Sequence, residues 1–334
     1  MRYKVLTLFV MILVLGCDSS HRLQLHLQEY QDRMAKVVGV ESPDKLNISL
    51  PPYPTLRELN QNIPATTIKL FEFYTLKHCE LYSLVAQRNT SLGNLQLPSI
   101  RYFYERQLIE ALDQCLISSK DAKLQAKLVD WKQTKVEQLP LVWADLIQLS
   151  SEMKQGLSAN YGLVQGNEQD GLIQTKDALN FLLYIDQNKQ LSSARLEQHL
   201  KNLKDNPLPA KLWLSQLTLS EYLTRATLWL TLHSEDLQCD STRSKQKVDY
   251  LTNVFYQFFI EKIQPIASQM NHYQYQLGPI FEIMSAHPHL SPSFKNYIKQ
   301  FNQQGFENYQ IAMQQHVLFW QSLFKRCNKQ PGKP

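Results

Sequence analysis

The sequence predicts an all-α fold, a multi-helix bundle of two packed helical halves stapled by disulfides. Three observations carry this reading. Apolar residues recur every three or four positions through most of the chain, and no useful length of sequence shows the period of two that a strand needs. Only 10 glycines occur in 334 residues. Four of them, Gly156, Gly162, Gly166 and Gly171, crowd one segment. The rest is dominated by Leu, Gln, Lys and Ala, which lose little rotamer freedom in a helix. At 43% hydrophobic residues, the chain can fill a sizeable core, in one large domain or two smaller ones. Its aromatic content separates it from disordered chains.

The N-terminus, MRYKVLTLFVMILVLGC, is a basic start, an apolar run from Val5 to Leu15 and then Gly16-Cys17. A membrane-spanning helix needs roughly 20 apolar residues, so the run reads as the apolar centre of a secretory signal. Its ending, Val14-Leu15-Gly16-Cys17, resembles the bacterial lipobox. That implies cleavage before Cys17 and lipid on its sulfur. Two or three acyl chains, at ~0.8 kcal/mol per buried CH₂, anchor a protein stably. The expectation is a protein on the periplasmic side of a bacterial envelope whose partner is the membrane itself. Asp18 points to the inner membrane by the usual sorting rule, with the outer membrane as the alternative. Net charge is +5, two of it from Arg2 and Lys4, and no dense basic run occurs, so a nucleic-acid partner is not expected.

The segments follow in order. Residues 1–16 are the signal, and 17–54 a lipidated tether with a short helix, Leu23 to Val38, and a strap carrying Pro43, Pro51, Pro52 and Pro54. Proline forces itself and its predecessor out of interior helix geometry. Residues 55–155 form the first half. Its helices are Thr67–Arg88, Pro98–Ile117 and a long run from about Ala122 to Leu157 interrupted at Pro140. The first should bury Leu70, Phe71, Tyr74, Leu81, Leu84 and Val85. The second should bury Ile100, Tyr104, Leu108, Leu112 and Cys115. Residues 156–171 are a glycine-containing loop or small hairpin. Residues 172–334 form the second half, with helices over Thr175–Ile185, Ser192–Leu203, Lys211–Leu232 and Lys245–Glu261, a break at Pro265, Pro265–Tyr275, and a last element from Ser293 to Arg326. That last stripe is Phe294, Ile298, Phe301, Tyr309, Met313, Val317, Trp320 and Phe324, with Gly305 in register.

With Cys17 lipidated, four cysteines remain, an even number suited to two disulfides in an exported chain. Two residues of an antiparallel helix pair face each other when their midpoint falls at the turn. The midpoint of Cys79 and Cys115 is Leu97, in a turn. That of Cys239 and Cys327 is Ile283, near the break at HPHLSPS. The expected pairs are Cys79–Cys115 and Cys239–Cys327. Zinc is the competing use of cysteine, but neither CxxC nor His-x₃-His spacing occurs. No metal or cofactor is expected.

Three blocks carry a resemblance: YPTLREL (Tyr53–Leu59), HCELYSLVAQRNTSLGNLQLPSIRYFYERQLIEALDQC (His78–Cys115) and WLSQLTLSEYLTRAT (Trp213–Thr227). They are similar to a bacterial lipoprotein family of unknown function, Domain of Unknown Function family 3080. The family usually has Glu before the Arg-Asn pair, and this chain has Gln87. The resemblance implies a tethered envelope protein and brings no activity with it.

No catalytic constellation is visible. Ser91 lacks the Gly-x-Ser-x-Gly elbow, Glu235 and Asp236 read as first-turn acids after a Ser234 cap, His287 and His289 read as a turn, and the aromatic stripe of the last helix reads as core. The stretch from Leu84 to Gln107 reads as a connection between antiparallel helices, with Pro98 starting the second. Arg88, Asn89 and Arg101 are the polar groups there that would bind a ligand, since loops on rigid scaffolds often do. Two function classes stay open. One is a non-enzymatic interaction or structural module of the envelope with a protein partner. The other is a small-ligand binder or enzyme whose site is assembled from distant helices.

Overall fold

The computed structural model describes residues 22–44, 46–88, 97–158, 162–166, 171–188, 191–233 and 237–329. Among them there is no strand. The helices are α1 (Arg22–Val38), α2 (Leu56–Leu59), α3 (Leu70–Thr75), α4 (Leu81–Arg88), α5 (Pro98–Ser118), α6 (Ala122–Leu149), α7 (Ser151–Ser158), α8 (Leu172–Leu183), α9 (Ser193–Asp205), α10 (Leu208–Leu232), α11 (Thr242–Val254), α12 (Gln264–Ala286), α13 (Pro292–Lys299) and α14 (Phe306–Arg326). Short 3₁₀ turns follow α3 and α8. Two π-helical segments, Phe255–Ile263 and Gln300–Gly305, join α11 to α12 and α13 to α14. None of these helices is long and apolar enough to cross a membrane.

The apolar interior falls into two clusters. The larger gathers Leu23, Tyr30 and Met34 of α1, Val142 to Ile147 of α6, and most of the buried residues from α7 to α14. The smaller holds Leu76, Leu81, Tyr104, Leu108, Leu112, Cys115, Leu124 and Leu128. Helices α5 and α6 bridge the two. They pack along each other, and α5 sends Tyr102 to the large cluster while Tyr104 goes to the small one. This explains why Ile100, expected inside, is 45% exposed: the residues that meet a neighbour at this end of α5 are Ser99 and Tyr102.

The expected helix over Thr67–Arg88 is broken. Helix α3 ends in a 3₁₀ turn over Leu76–His78, and Cys79 is extended at φ −116°, ψ 151°. That extension breaks the helix at the residue bonded to Cys115 (Cα–Cα 5.3 Å). As a result Leu70, Phe71 and Tyr74 stay exposed, while Leu76 and Leu81 are buried. Pro140 does not interrupt α6. A proline inside a helix frees the carbonyl four residues back, and here Val136 lies on an exposed face. Nor does Pro265 break the chain. The preceding segment is π-helical, with Gln264 N–H bonded to Phe259 C=O, so the bonding register has already widened where the proline ring enters. The 292–326 element is continuous as expected. Its aromatic stripe is core, packed as Trp213 on Phe301 (5.4 Å between centroids) and Trp320 on Phe255 (4.7 Å). The second disulfide, Cys239–Cys327 (Cα–Cα 5.5 Å), ties the end of α14 to the approach to α11.

In the glycine-containing segment, Gly156 sits inside α7, while Leu163 and Val164 insert into the core and Val164 N–H donates to Ser215 Oγ at 2.8 Å. Gly171 caps α8 at φ 77°. A Cβ there would lie 2.2 Å from Asn206 Oδ1, so both backbone and space require glycine.

Candidate functional site

The extended residues after α2 cross the ends of α5 and α6 and are clamped there by buried polar groups. Asp145 is the centre of the clamp. Its Oδ1 accepts from Gln61 N–H (3.1 Å), and its Oδ2 pairs with Arg101 Nη1 (3.3 Å). Burial pushes the Asp145 carboxyl up, opposed by the Gln61 N–H and the Arg101 charge. Gln148 reinforces the clamp, donating to Leu59 C=O and accepting from Ser291 N–H. Gln138 Nε2 donates to Pro64 C=O at 3.0 Å.

Held this way, residues 63–68 form one wall of a cavity of about 520 Å³. Helices α4, α5 and α6 supply the rest. Leu81, Val85 and Arg88 come from α4, Arg101, Tyr104, Glu105, Leu108 and Leu112 from α5, and Trp131, Lys135 and Gln138 from α6, with Leu76 at the base. Each set follows helical spacing, three or four residues apart, so one face of each helix looks into the same space. Helices α4 and α5 run antiparallel: the disulfide joins them at one end, and Arg88 stands over the Tyr104 ring, 5.9 Å from its centroid, toward the other. Tyr104 O–H donates to Leu84 C=O. Its hydroxyl is pushed up to about 12 by burial, then by the neighbouring Glu105 charge.

The charged groups are unevenly satisfied. Lys135 and Glu105 form an ion pair at 3.0 Å with little exposure of either side chain. Arg88 Nη1 and Arg101 Nε are buried and have no hydrogen-bond partner among the described residues. A buried donor left unmade costs ~1–3 kcal/mol, more when charged, so an acceptor brought to these two atoms would be favoured.

Of the residues singled out in the sequence, Arg88 and Arg101 meet in this cavity. Asn89 and Ser91 lie outside the described residues, as do Cys17, Glu235 and Asp236. His287 ends α12 and packs against Trp143 (4.2 Å between centroids), with its Nδ1 accepting from His289 N–H. Burial lowers its basicity, helped by His289 and Lys295. The two histidines thus shape a turn. The one metal-type grouping among the described residues is His78, Cys79 and Cys115, and its two sulfurs are bonded to each other. Sequence reading missed Glu105, Trp131, Lys135 and the 63–68 wall. The only available signal was the polar break, Arg101 and Glu105, in the otherwise apolar face of α5.

No curated protein and no solved structure matches the chain. Residues 27–331 match a family described as a protein of unknown function (DUF3080), and a match over that much of the sequence places the chain in the DUF3080 family.

Proposed function

We propose that this protein is a membrane-tethered periplasmic lipoprotein whose helical body is a receptacle for a small ligand. The observation that carries the reading is the cavity between residues 63–68 and α4, α5 and α6. Its volume falls in the ~300–1,000 Å³ range of small-molecule sites, and its lining is about half apolar, with several polar and charged side chains converging on it. Binding fits the lining better than chemistry. Among the described residues that face the cavity there is no Ser, Cys or His, and Glu105 is held by Lys135. The receptacle is tested with a neutral apolar fluorophore such as N-phenylnaphthylamine. Uptake should saturate at one dye per chain, and Val85→Trp, which fills the open volume from α4, should abolish it at unchanged melting temperature. Equal uptake by the variant would place the dye elsewhere and remove the basis of the reading.

The tether rests on the lipobox-like ending at Cys17. Cys17→Ser should leave the protein soluble or its precursor uncleaved, and mass spectrometry of the wild type should show an acylated N-terminal Cys with residues 1–16 gone. An unmodified soluble wild-type protein would exclude lipidation. Helix α1 starts at Arg22, so four residues of chain, a reach of at most roughly 17 Å from Cys17 to Arg22, separate the lipid-bearing residue from the folded body. The cavity would then work beside a bilayer.

A second reading, an envelope interaction module, has an observation of its own: Leu70 (70%) and Phe71 (81%) on α3 and Ile117 (86%) on α5 are exposed. Cross-linking in intact cells with wild type and Phe71→Ser tests it. A protein partner captured only by the wild type would support this reading.

A further inference from the structure

We infer that the ligand of this cavity is an anionic amphiphile, a carboxylate or phosphate on a single acyl chain. Its head would lie between Arg88 and Arg101, and its chain along Leu81, Leu108 and Leu112. The inference rests on the receptacle reading above and specifies what the receptacle takes.

The lining is graded, and all three helices grade it the same way. Along α4 the cavity face runs Leu81, Val85, Arg88, from apolar to cationic. Along the antiparallel α5 it runs Arg101, Glu105, Leu108, Leu112, from charged to apolar. Along α6 it runs Trp131, Lys135, Gln138, again from apolar to polar. The disulfide lies at the apolar end and the Arg88–Tyr104 contact toward the other. The Lys135–Glu105 pair brings the charged stretches of α5 and α6 together. Three helices thus place their charges toward one end of a shared space and their apolar side chains, Leu81, Leu108, Leu112 and Trp131, toward the other. From Arg101 to Leu112 the face covers eleven helical steps, roughly 16 Å of helix. That is an elongated site, suited to a straight chain with one polar end.

The sign of the head follows from which charges are already engaged. Glu105 holds Lys135, and Asp145 holds one nitrogen of Arg101. Arg88 has its guanidinium over Tyr104 and no carboxylate partner among the described residues, and its Nη1 and the Arg101 Nε are both buried without an acceptor. Three cations therefore face two carboxylates, with two donors unspent. A carboxylate or phosphate supplies the acceptors and balances the excess charge, and guanidinium groups bind such oxyanions with strong charge-assisted hydrogen bonds. An alcohol head would satisfy a donor but leave the charge. An ammonium head would add to it.

The test uses the full mature chain carrying Cys17→Ser, so that no detergent is present, with N-phenylnaphthylamine as the displaced probe. The competitors are laurate, dodecyl phosphate, dodecanol and dodecylammonium, each below its micellar concentration. Laurate or dodecyl phosphate should displace the dye at least tenfold more effectively than dodecanol, and dodecylammonium should be weakest. Whichever anion is stronger identifies the head. Arg88→Gln, which breaks no ion pair, should reduce the anion advantage several-fold while leaving dodecanol competition and the melting temperature unchanged. Adding Arg101→Gln should erase it. If the dye binds but anion and alcohol compete equally, or the ammonium competes best, the ligand class is wrong and the receptacle stands. If Arg88→Gln and the double variant keep the full advantage, the head is not where we place it and the inference is overturned. If the dye does not bind at all, the receptacle reading fails and takes this inference with it.

Discussion

Replacing His316 with Leu should lower the stability of the fold by roughly 3–5 kcal/mol, because it leaves two buried donors without an acceptor. His316 is fully buried where α1, α10 and α14 meet. Its Nε2 accepts from Trp320 Nε1–H (3.1 Å) and lies 2.9 Å from the Tyr30 hydroxyl, and its Nδ1 lies 2.9 Å from Thr227 Oγ1. The network assigns the tautomer. An indole N–H can only donate, so Nε2 is unprotonated. Thr227 already donates to Leu223 C=O (2.7 Å), so Nδ1 carries the hydrogen and Thr227 receives it. Leucine fills the space and satisfies none of the three groups. Equilibrium denaturation measures the loss, and a difference below about 1 kcal/mol would show that the network is not holding the three helices together.

The same residue sets an acid sensitivity. Burial holds the His316 imidazole down at about 3, whereas in the unfolded chain it titrates near 6.5. The unfolded state therefore takes the proton first. The contribution is fully present above about pH 6.5 and declines as pH falls toward 3, by ~1.4 kcal/mol per unit. Between pH 7 and 5 the wild type should lose about 2 kcal/mol more than His316→Gln. The carboxylates and the other histidines are common to both proteins and drop out of the comparison. Parallel pH profiles would mean that His316 already carries its proton in the fold.

The double substitution Cys239→Ser, Cys327→Ser should cost roughly 4–5 kcal/mol, the loop-closure value for its ring. The ring spans 88 residues and contains α11, α12, α13 and α14. Cys239 itself stands at φ 58°, a left-handed conformation that a side chain adopts only where its surroundings impose it. Removing Cys79–Cys115, whose ring spans 36 residues, should cost slightly less, because closure entropy grows only with the logarithm of length. Denaturation of each variant under non-reducing conditions checks both the sizes and the order. If the short ring proves the more stabilising, native packing around Cys79 outweighs chain entropy.

Much of this was legible in local sequence. Scarce glycine and a period of three to four determined the helical class, because helix geometry puts residues that far apart on one face whatever they pack against. The disulfide pairing was legible too, since the turns between antiparallel helices fix which positions face each other. Pro98 opens α5 at its first turn, where a missing N–H costs nothing.

Other features were decided only by packing. The sequence stripe through Tyr309, Met313, Val317 and Trp320 left His316 outside, yet the structure buries Tyr309, Ala312, His316 and Trp320. The buried set keeps the 3.6-residue period, with Met313 and Val317 half-buried beside it, and a histidine in that register does not announce by its type that it will be buried. Pro140 and Pro265 likewise sit within continuous helix because of what surrounds them. The cavity is the furthest from local sequence. Arg88 and Arg101 could be marked as candidate ligands of a turn, but their unpartnered nitrogens, the Lys135–Glu105 pair and the wall at residues 63–68 come from segments far apart in the chain. A pattern of side chains along a helix fixes which face turns inward. Whether that face meets another side chain or empty space depends on how far the neighbouring helices can approach, and only the assembled bundle determines that.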